Sequence, residues 1–244
     1  MPLRHKNCCR FLWKGVLDNM SIQDVVLFSL WGHSMNLLEL IGLVSGLVAV
    51  YLASRALSVN FLFGLLNNVV YFVVFYQAHL YSAMLLQVVY FSFSLYGYYH
   101  WKHPAPGQEG KNRELRIRRL NKSQWALVIV IVLVFGGLWS EGIIYFQSRF
   151  PEYIDPPAFP RLDAMLTAAS VTGQFLLSRK VMDNWIIWIV VDVLSTALYA
   201  YMGLFFTALL FAVFTLIALR AIVDWNKQYK QQDEIKKGNK NRTK

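Results

Sequence analysis

The sequence has few of the residues that build catalytic or metal-binding sites. Its two cysteines, Cys8 and Cys9, are adjacent, so they provide neither a disulfide framework nor a metal site. The chain contains no glycine-rich phosphate loop, no His-Glu-x-x-His motif and no nucleophile elbow. These absences predict a protein that is not an enzyme, that uses no cofactor or metal, and that does not drive transport with ATP by itself.

Charged residues are also scarce, and one sign dominates. Only 16% of the 244 residues are charged, and 24 Lys and Arg outnumber 14 Asp and Glu. The basic residues lie in tails and loops between apolar segments, so the net charge of +10 indicates membrane topology rather than nucleic-acid binding. The basic N-terminus lacks an apolar stretch followed by a cleavage site, so we expect no removable signal peptide.

Long apolar segments are what the chain has in abundance. Hydrophobic residues make up 56% of it, which is typical of an integral membrane protein. Seven segments could span a bilayer as helices: about 36–54, 61–78, 81–101, 123–146, 161–178, 184–201 and 204–224. The shorter segment 21–34 predicts a helix lying at the membrane interface. We therefore predict an all-α integral membrane protein.

The distribution of Lys and Arg predicts the orientation of these spans. Seven spans place the termini on opposite sides, and 18 of the 24 basic residues then share the side of the C-terminus. Because cytoplasmic loops are enriched in Lys and Arg, we expect the C-terminus in the cytoplasm and the N-terminus outside.

The first three and last three spans resemble each other when the chain is shifted by 124 residues. Ungapped pairs at this shift include Ser54 with Ser178, Arg55 with Arg179, Asn60 with Asn184, Asn68 with Asp192, and Trp101 with Trp225. A single span between two three-helix units makes the units parallel. We predict an N-terminal tail with the interfacial helix at 1–35 and a first three-helix repeat at 36–101. A loop, a linker helix and a second loop follow at 102–160. The second three-helix repeat is at 161–225, and a polar, frayed basic tail is at 226–244.

Polar residues within the spans are the candidates for a binding site. Trp185, Trp188 and Asp192 lie at i, i+3 and i+7, so they share one helix face. Asp192 lies about 12 Å along the helix from Asn184, at a depth where a carboxylate must face protein or a wet cavity. Two indoles beside a carboxylate suit a flat cationic or aromatic ligand, although an interfacial aromatic belt is the alternative for the tryptophans.

The first repeat contributes groups of another kind. Asn68 occupies the position of Asp192, and lipid offers neither Asn68 nor Gln87 a hydrogen-bond partner. Helix packing is the alternative role for Tyr90 and Phe91, and pairing with a basic group is the alternative for Glu39. Capping is the alternative for Asn36 and Asn184. The predicted substrate-binding set is Asn36, Glu39, Asn68, Gln87, Tyr90, Phe91, Asn184, Trp185, Trp188 and Asp192.

Three stretches carry a family resemblance: ELIGLVSGLVAVYLASR, LYSAMLLQVVYFSFSLYGYYHW and QFLLSRKVMDNWIIWIVVD. They resemble the PnuC family of bacterial nicotinamide riboside transporters. The resemblance implies a 3+1+3 helix arrangement, similar to the SWEET sugar transporters, and a homotrimer in the bacterial inner membrane. It also implies facilitated, energy-independent uptake of nicotinamide riboside, a vitamin B3 nucleoside. We expect alternating access, with trapping by intracellular phosphorylation for NAD biosynthesis.

Two alternatives stay open. Relatives of the family carry thiamine or riboflavin precursors, so another vitamin or a sugar is the alternative substrate. An intramembrane enzyme would also explain the buried Asp192 and Gln87. That reading needs a second catalytic group, and no span offers a clear histidine or paired carboxylate.

Overall fold

The fold is built almost entirely from helices. The computed structural model describes residues 26–30, 33–77, 81–109, 114–149 and 159–242, with side chains from 37 to 235 except at 81 and 82. The helices in these ranges are α1 Leu37–Ser54, α2 Asn60–Gln77, α3 Tyr81–Lys102, α4 Lys122–Arg149, α5 Pro160–Ser178, α6 Asn184–Tyr201 and α7 Phe205–Arg242. All seven predicted helical segments are therefore present.

Five of these helices are long and apolar enough to cross a membrane: α1, α2, α4, α6 and the Phe205–Ile235 part of α7. Helices α3 and α5 are long enough but less apolar, and they pack against each other. Their polar groups thus have protein partners available, which lipid would not provide.

Two expectations for the ends of the chain are wrong. An antiparallel strand pair, β1 Val26–Leu30 with β2 His33–Asn36, occupies part of the segment expected to be an interfacial helix. Val26 and Phe28 favour strands, and pairing between neighbouring segments outweighs the helical pattern. The rest of that predicted helix lies outside the described residues. At the other end α7 continues to Arg242, because Lys, Gln and Glu propagate a helix readily.

Six helices form a closed ring. In order around it, α1 packs on α2, α2 on α3, α3 on α5, α5 on α6, α6 on α7, and α7 returns to α1. Helices α2 and α6 therefore lie opposite each other. Helix α4 packs mainly on α5, outside the ring. We call the end of the ring that holds the connections 55–59 and 179–183 the lower end.

The lower end is closed by a core with matched contacts from the two halves. The ring of Phe61 meets Trp101 edge-on at 5.0 Å, and Trp185 meets Trp225 edge-on at 5.9 Å. Each residue of the second pair lies 124 positions after its counterpart. All four side chains are at most 2% exposed. The shift found in the sequence is thus repeated in the packing of the core.

The two connections at the lower end also match. Ala56 and Lys180 both adopt left-handed backbone angles, with φ of 59° and 53°. Such angles are strained for residues with a side chain, so their presence at equivalent positions indicates one shared turn geometry. Asn60 and Asn184 each donate a side-chain hydrogen bond to the carbonyl three residues earlier.

Candidate functional site

Asn68 and Asp192 are the most deeply placed polar pair among the predicted site residues. Asn68 is 7% exposed on α2, and Asp192 is 4% exposed on α6, directly across the ring. Each lies eight residues into its helix, which is about 12 Å from the lower end. The ring therefore holds an amide and a carboxylate at the same depth.

Close packing of α1 on α2 orients Asn68 towards α3. The neighbouring Asn67 donates to the carbonyl of Gly42 at 2.7 Å, and a Cβ at Gly46 would lie 2.9 Å from its Nδ2. The Gly42-x-x-x-Gly46 pair thus lets α2 approach closely. Asn68 faces the other way, and its Nδ2 donates to Ser94 Oγ on α3 at 3.4 Å.

Asp192 has a different environment. Within the described part of the chain, no hydrogen-bond donor and no cation pairs with its carboxylate. Its backbone carbonyl accepts a bond from Thr196 Oγ1, and Ser195 is also buried on the same side of the helix. A buried carboxylate without a partner is costly, and a cationic ligand would remove that cost.

Trp188 lies one turn before Asp192 and joins two parts of the core. Its half-buried indole packs against the core that closes the lower end and against a second apolar cluster, which contains Val191. Gly173 on α5 makes room for it, because a Cβ there would lie 3.3 Å from Trp188 Cε2. Gly173 was not predicted, since a single glycine in a helix gives no signal in the sequence.

Trp185 and Asn184 lie at the lower end rather than beside Asp192. Trp185 is 2% exposed and packs on Trp225, which excludes an exposed aromatic belt for it. Asn184 is fully buried and binds the carbonyl of Val181. These contacts give both residues a part in packing and turn formation. Among the described residues Trp185 Nε1 and Asn184 Oδ1 have no hydrogen-bond partner, so a part in substrate binding stays a prediction.

The remaining predicted residues are distributed over α1 and α3. Gln87, Tyr90 and Phe91 are half-buried on α3, and Tyr90 contacts Ser170 on α5. Glu39 lies at the start of α1, near Tyr71. The side chain of Asn36 lies outside the described residues. The structure thus brings Asn68 and Ser94 into contact, and it places Asp192 and Trp188 on the opposite side of the ring.

At the depth of Asn68 and Asp192 the ring offers few side chains that could bind a metal ion, and few cationic ones. Within the described ranges, no three His, Cys, Asp or Glu side chains come together in a way that could hold a metal ion. Helices α1, α2 and α6 contain no Lys or Arg, α3 has one only at its last residue, Lys102, and Arg161 of α5 and Arg220 of α7 are exposed. The site therefore offers amide, hydroxyl, indole and carboxylate groups.

Comparisons with known proteins agree with this picture. A family model described as nicotinamide mononucleotide transporter matches residues 36–227. The chain is 29% identical over 229 residues to the nicotinamide riboside transporter PnuC of Escherichia coli (strain K12), covering 86% of this chain and 94% of that protein. It is 21% identical over 187 residues to the riboflavin/roseoflavin transporter RibM of Streptomyces davaonensis (strain DSM 101723 / JCM 4913 / KCC S-0913 / 768), covering 77% and 83%.

A solved structure has the same fold. The crystal structure of the vitamin B3 transporter PnuC aligns with a TM-score of 0.62 at 23% identity, covering 91% of this chain and 90% of that chain. The resemblance noted in the sequence is thereby confirmed, and so is the expectation of a transporter rather than an enzyme. This chain belongs to the nicotinamide mononucleotide transporter family of multi-pass membrane transporters.

Proposed function

We propose that this protein carries nicotinamide riboside across the membrane by facilitated diffusion. The observation that carries the proposal is the buried carboxylate of Asp192, which has no partner among the described residues and lies one turn from the indole of Trp188. Nicotinamide riboside is a flat pyridinium joined to a ribose. Its ring needs an aromatic face and a counter-charge, and its hydroxyls need amide and hydroxyl partners such as Asn68 and Ser94.

The riboside suits this site better than its phosphorylated form. A phosphate group buried in the ring would need Lys, Arg or several donors to replace its water. Helices α1, α2 and α6 supply no cation, Lys102 is at the lower end of α3, and Arg161 of α5 and Arg220 of α7 are exposed. A phosphate would also meet the negative charge of Asp192. We therefore favour the unphosphorylated nucleoside, the substrate named for the Escherichia coli relative.

Other vitamins are the competing substrates. The Streptomyces relative is named for riboflavin and roseoflavin, whose ring carries no fixed charge, so a carboxylate such as Asp192 would gain nothing there. Thiamine is a flat cation without a ribose, so it would use Asp192 and Trp188 but not the Asn68–Ser94 pair. Competition between these compounds and the riboside separates the alternatives.

For the transport cycle we propose two parallel three-helix repeats that rock about the site in alternating access. Support comes from the matched core contacts, the matched turns and the two equivalent interfaces α3 on α5 and α7 on α1. Helix α4 would be the linker of a 3+1+3 arrangement with repeats at 36–101 and 161–225. Since the sequence contains no ATP-binding motif, accumulation would depend on intracellular phosphorylation, which commits the nucleoside to NAD biosynthesis.

We also propose a homotrimer in the bacterial inner membrane, with the C-terminus in the cytoplasm. The excess of Lys and Arg around the lower end supports this orientation. The outer face of α4, with exposed Leu127, Val130 and Leu138, is available for lipid or for a second copy. Native mass spectrometry of the detergent-solubilised protein tests the oligomer.

Reconstitution into liposomes tests the function. The purified protein should equilibrate labelled nicotinamide riboside without ATP or an ion gradient, and excess unlabelled riboside should compete. Nicotinamide mononucleotide should compete at least about tenfold less well, because its phosphate finds no cation. Uptake of thiamine or riboflavin but not of the riboside would overturn the substrate. Chemical conversion of the riboside would overturn the transport mechanism.

A further inference from the structure

The segment between α3 and α4 was predicted to be a loop, and part of it is buried in the lower end of the ring. We call residues 114–120 the strap. Leu115 and Ile117 are 2% and 1% exposed and belong to the same core cluster as Trp101 and Trp225. The strap therefore fills the mouth between the two halves, about 12 Å from the depth of Asn68 and Asp192.

Glu114 holds the strap to both halves. Its Oε1 accepts a hydrogen bond from Ser58 Oγ at 2.8 Å, and its Oε2 pairs with Lys180 Nζ at 3.2 Å. Ser58 belongs to the connection of the first half, and Lys180 to that of the second. Lys180 Nζ also lies 4.2 Å above the ring of Trp101. The carboxylate of Glu114 thus links the connections of the two halves.

These partners are not copies of each other. The positions 124 residues away from Ser58 and Lys180 hold Met182 and Ala56, which cannot bind a carboxylate through their side chains. In the second half the chain continues from Trp225 as helix α7 to Arg242, so the described residues after Trp225 contain no equivalent of the strap. The contacts of Glu114 with Ser58 and Lys180 are therefore an asymmetric addition to two otherwise matched halves.

The strap is bound more firmly to the second half. Arg118 donates its N–H to the carbonyl of Lys180, and its own carbonyl accepts from Met182, at 3.0 and 2.8 Å. Leu120 N–H binds Asp183 Oδ2 at 2.7 Å, and Ile117 N–H binds Gln232 of α7. Among the described residues, the hydrogen bonds from the strap to the first half are the Ser58 bond and one backbone bond, from Leu115 N–H to the carbonyl of Trp101. Its other contacts there are apolar.

We propose that the strap is the gate of the lower mouth and that Glu114 is the residue that keeps it closed. On opening, the strap stays with the second half, the Ser58–Glu114 contact breaks, and Leu115 and Ile117 leave the core. This inference rests on the alternating-access function proposed above. It adds a gating role for residues that lie outside the substrate site.

Thiol labelling tests the gate without any substrate. A reporter cysteine at Ser94, in a background with Cys8→Ser and Cys9→Ser, is exposed to a membrane-impermeant trimethylammonium methanethiosulfonate in sealed vesicles of both orientations. Ser58→Ala and Glu114→Gln should each raise the labelling rate by about tenfold, the effect of one charge-assisted hydrogen bond on a two-state equilibrium. The increase should occur from one side of the membrane only.

Arg55→Gln is the matched control. The Arg55–Asp224 pair also links the halves at the lower end, but both side chains are exposed, so its loss should change the rate little. An unchanged rate in Ser58→Ala and Glu114→Gln, or an increase from both sides, would overturn the gate. A failure to carry nicotinamide riboside would leave this labelling result intact, so the two proposals fail separately.

Cross-linking provides the converse test. In the same cysteine-free background, Ser58→Cys with Glu114→Cys is joined by a short bifunctional methanethiosulfonate and reconstituted. The cross-link should abolish transport, and reduction should restore it. The control pair Asn121→Cys with Gln124→Cys lies within one segment and leaves the halves untied. Full transport with the 58–114 cross-link complete would overturn the proposal.

Discussion

Trp101 and Trp225 each donate the indole hydrogen bond to a backbone carbonyl of the opposite half. Trp101 Nε1 lies 3.2 Å from the carbonyl oxygen of Leu177, and Trp225 Nε1 lies 3.1 Å from that of Ala53. Donors and acceptors are both separated by 124 residues. The two halves thus exchange equivalent bonds at the lower end of the ring.

Replacing Trp101 or Trp225 should destabilise the protein, and for the same reason in both cases. Trp101→Phe and Trp225→Phe each remove one indole hydrogen bond, worth about 0.5–1.5 kcal/mol, from a carbonyl that keeps a backbone N–H donor, Lys180 for Leu177 and Ala56 for Ala53. Trp101→Phe should cost more, because the indole is also the better partner for the Lys180 ammonium. Thermal unfolding in detergent measures both effects. A cost confined to one of the two variants would contradict the equivalence of these bonds.

Asp192→Asn should lower affinity while raising the stability of the ligand-free protein. The substitution removes a buried charge that has no described partner, so the folded state no longer carries its desolvation cost. Binding of nicotinamide riboside should weaken by at least about tenfold, or about 1.4 kcal/mol. The uncharged dihydro form of the riboside is the control ligand, and its affinity should change much less. Isothermal titration and thermal unfolding give the two readouts, and equal losses for both ligands would contradict a charge-based role.

Gly173→Ala should disturb the site through Trp188. The added Cβ would lie 3.3 Å from the indole, so the ring must shift by a few tenths of an ångström. We expect binding to weaken by a few-fold, since cation–π attraction depends on ring position. Gly137→Ala on α4 is the control, because nothing lies within 4 Å of its added Cβ. Equal affinities for Gly173→Ala and the control would mean that the indole adjusts freely.

Lys180 should make stability depend on alkaline pH. Burial lowers the pKa of its ammonium below the ordinary 10.5, although Glu114 raises it in part. The unfolded chain then binds this proton more tightly than the folded chain does. The free energy of unfolding therefore rises with pH from the folded pKa up to 10.5. Lys180→Met should remove this rise, and parallel pH profiles for the two proteins in thermal unfolding would contradict it.

Much of the architecture was readable because lipid imposes simple rules on a sequence. Apolar length predicted the seven helical segments, and the 124-residue shift predicted which positions are equivalent. The rules failed where other forces act. The strand pair at 26–36 depends on pairing between neighbours, and the extension of α7 depends on local helix propensity in water.

The structure brings together only some of the residues predicted to form the site, and their binding roles stay predictions. Residue type and depth identified Asn68 and Asp192, because a polar group inside a membrane needs a reason to be there. The helical stripe also joined Trp185 and Asn184 to them, since a face repeats along a helix whatever packs against it. The neighbouring elements place these two residues at the lower end of the ring, about 12 Å from the depth of Asp192, and their part in substrate binding stays a prediction.

The sequence by itself determined that this is a membrane protein with seven helices and two similar halves, and that Asp192 lies at the same depth as Asn68. It could do so because the length of apolar segments, the spacing of residues and residue type are local properties. Only the tertiary structure decided that Trp188 has a glycine to pack on, that Asp192 has no described partner, and that Glu114 ties Ser58 to Lys180. These relations join residues far apart in the chain. Their physical basis is the closure of the ring, which brings loops and helices together at distances that no spacing in the sequence records.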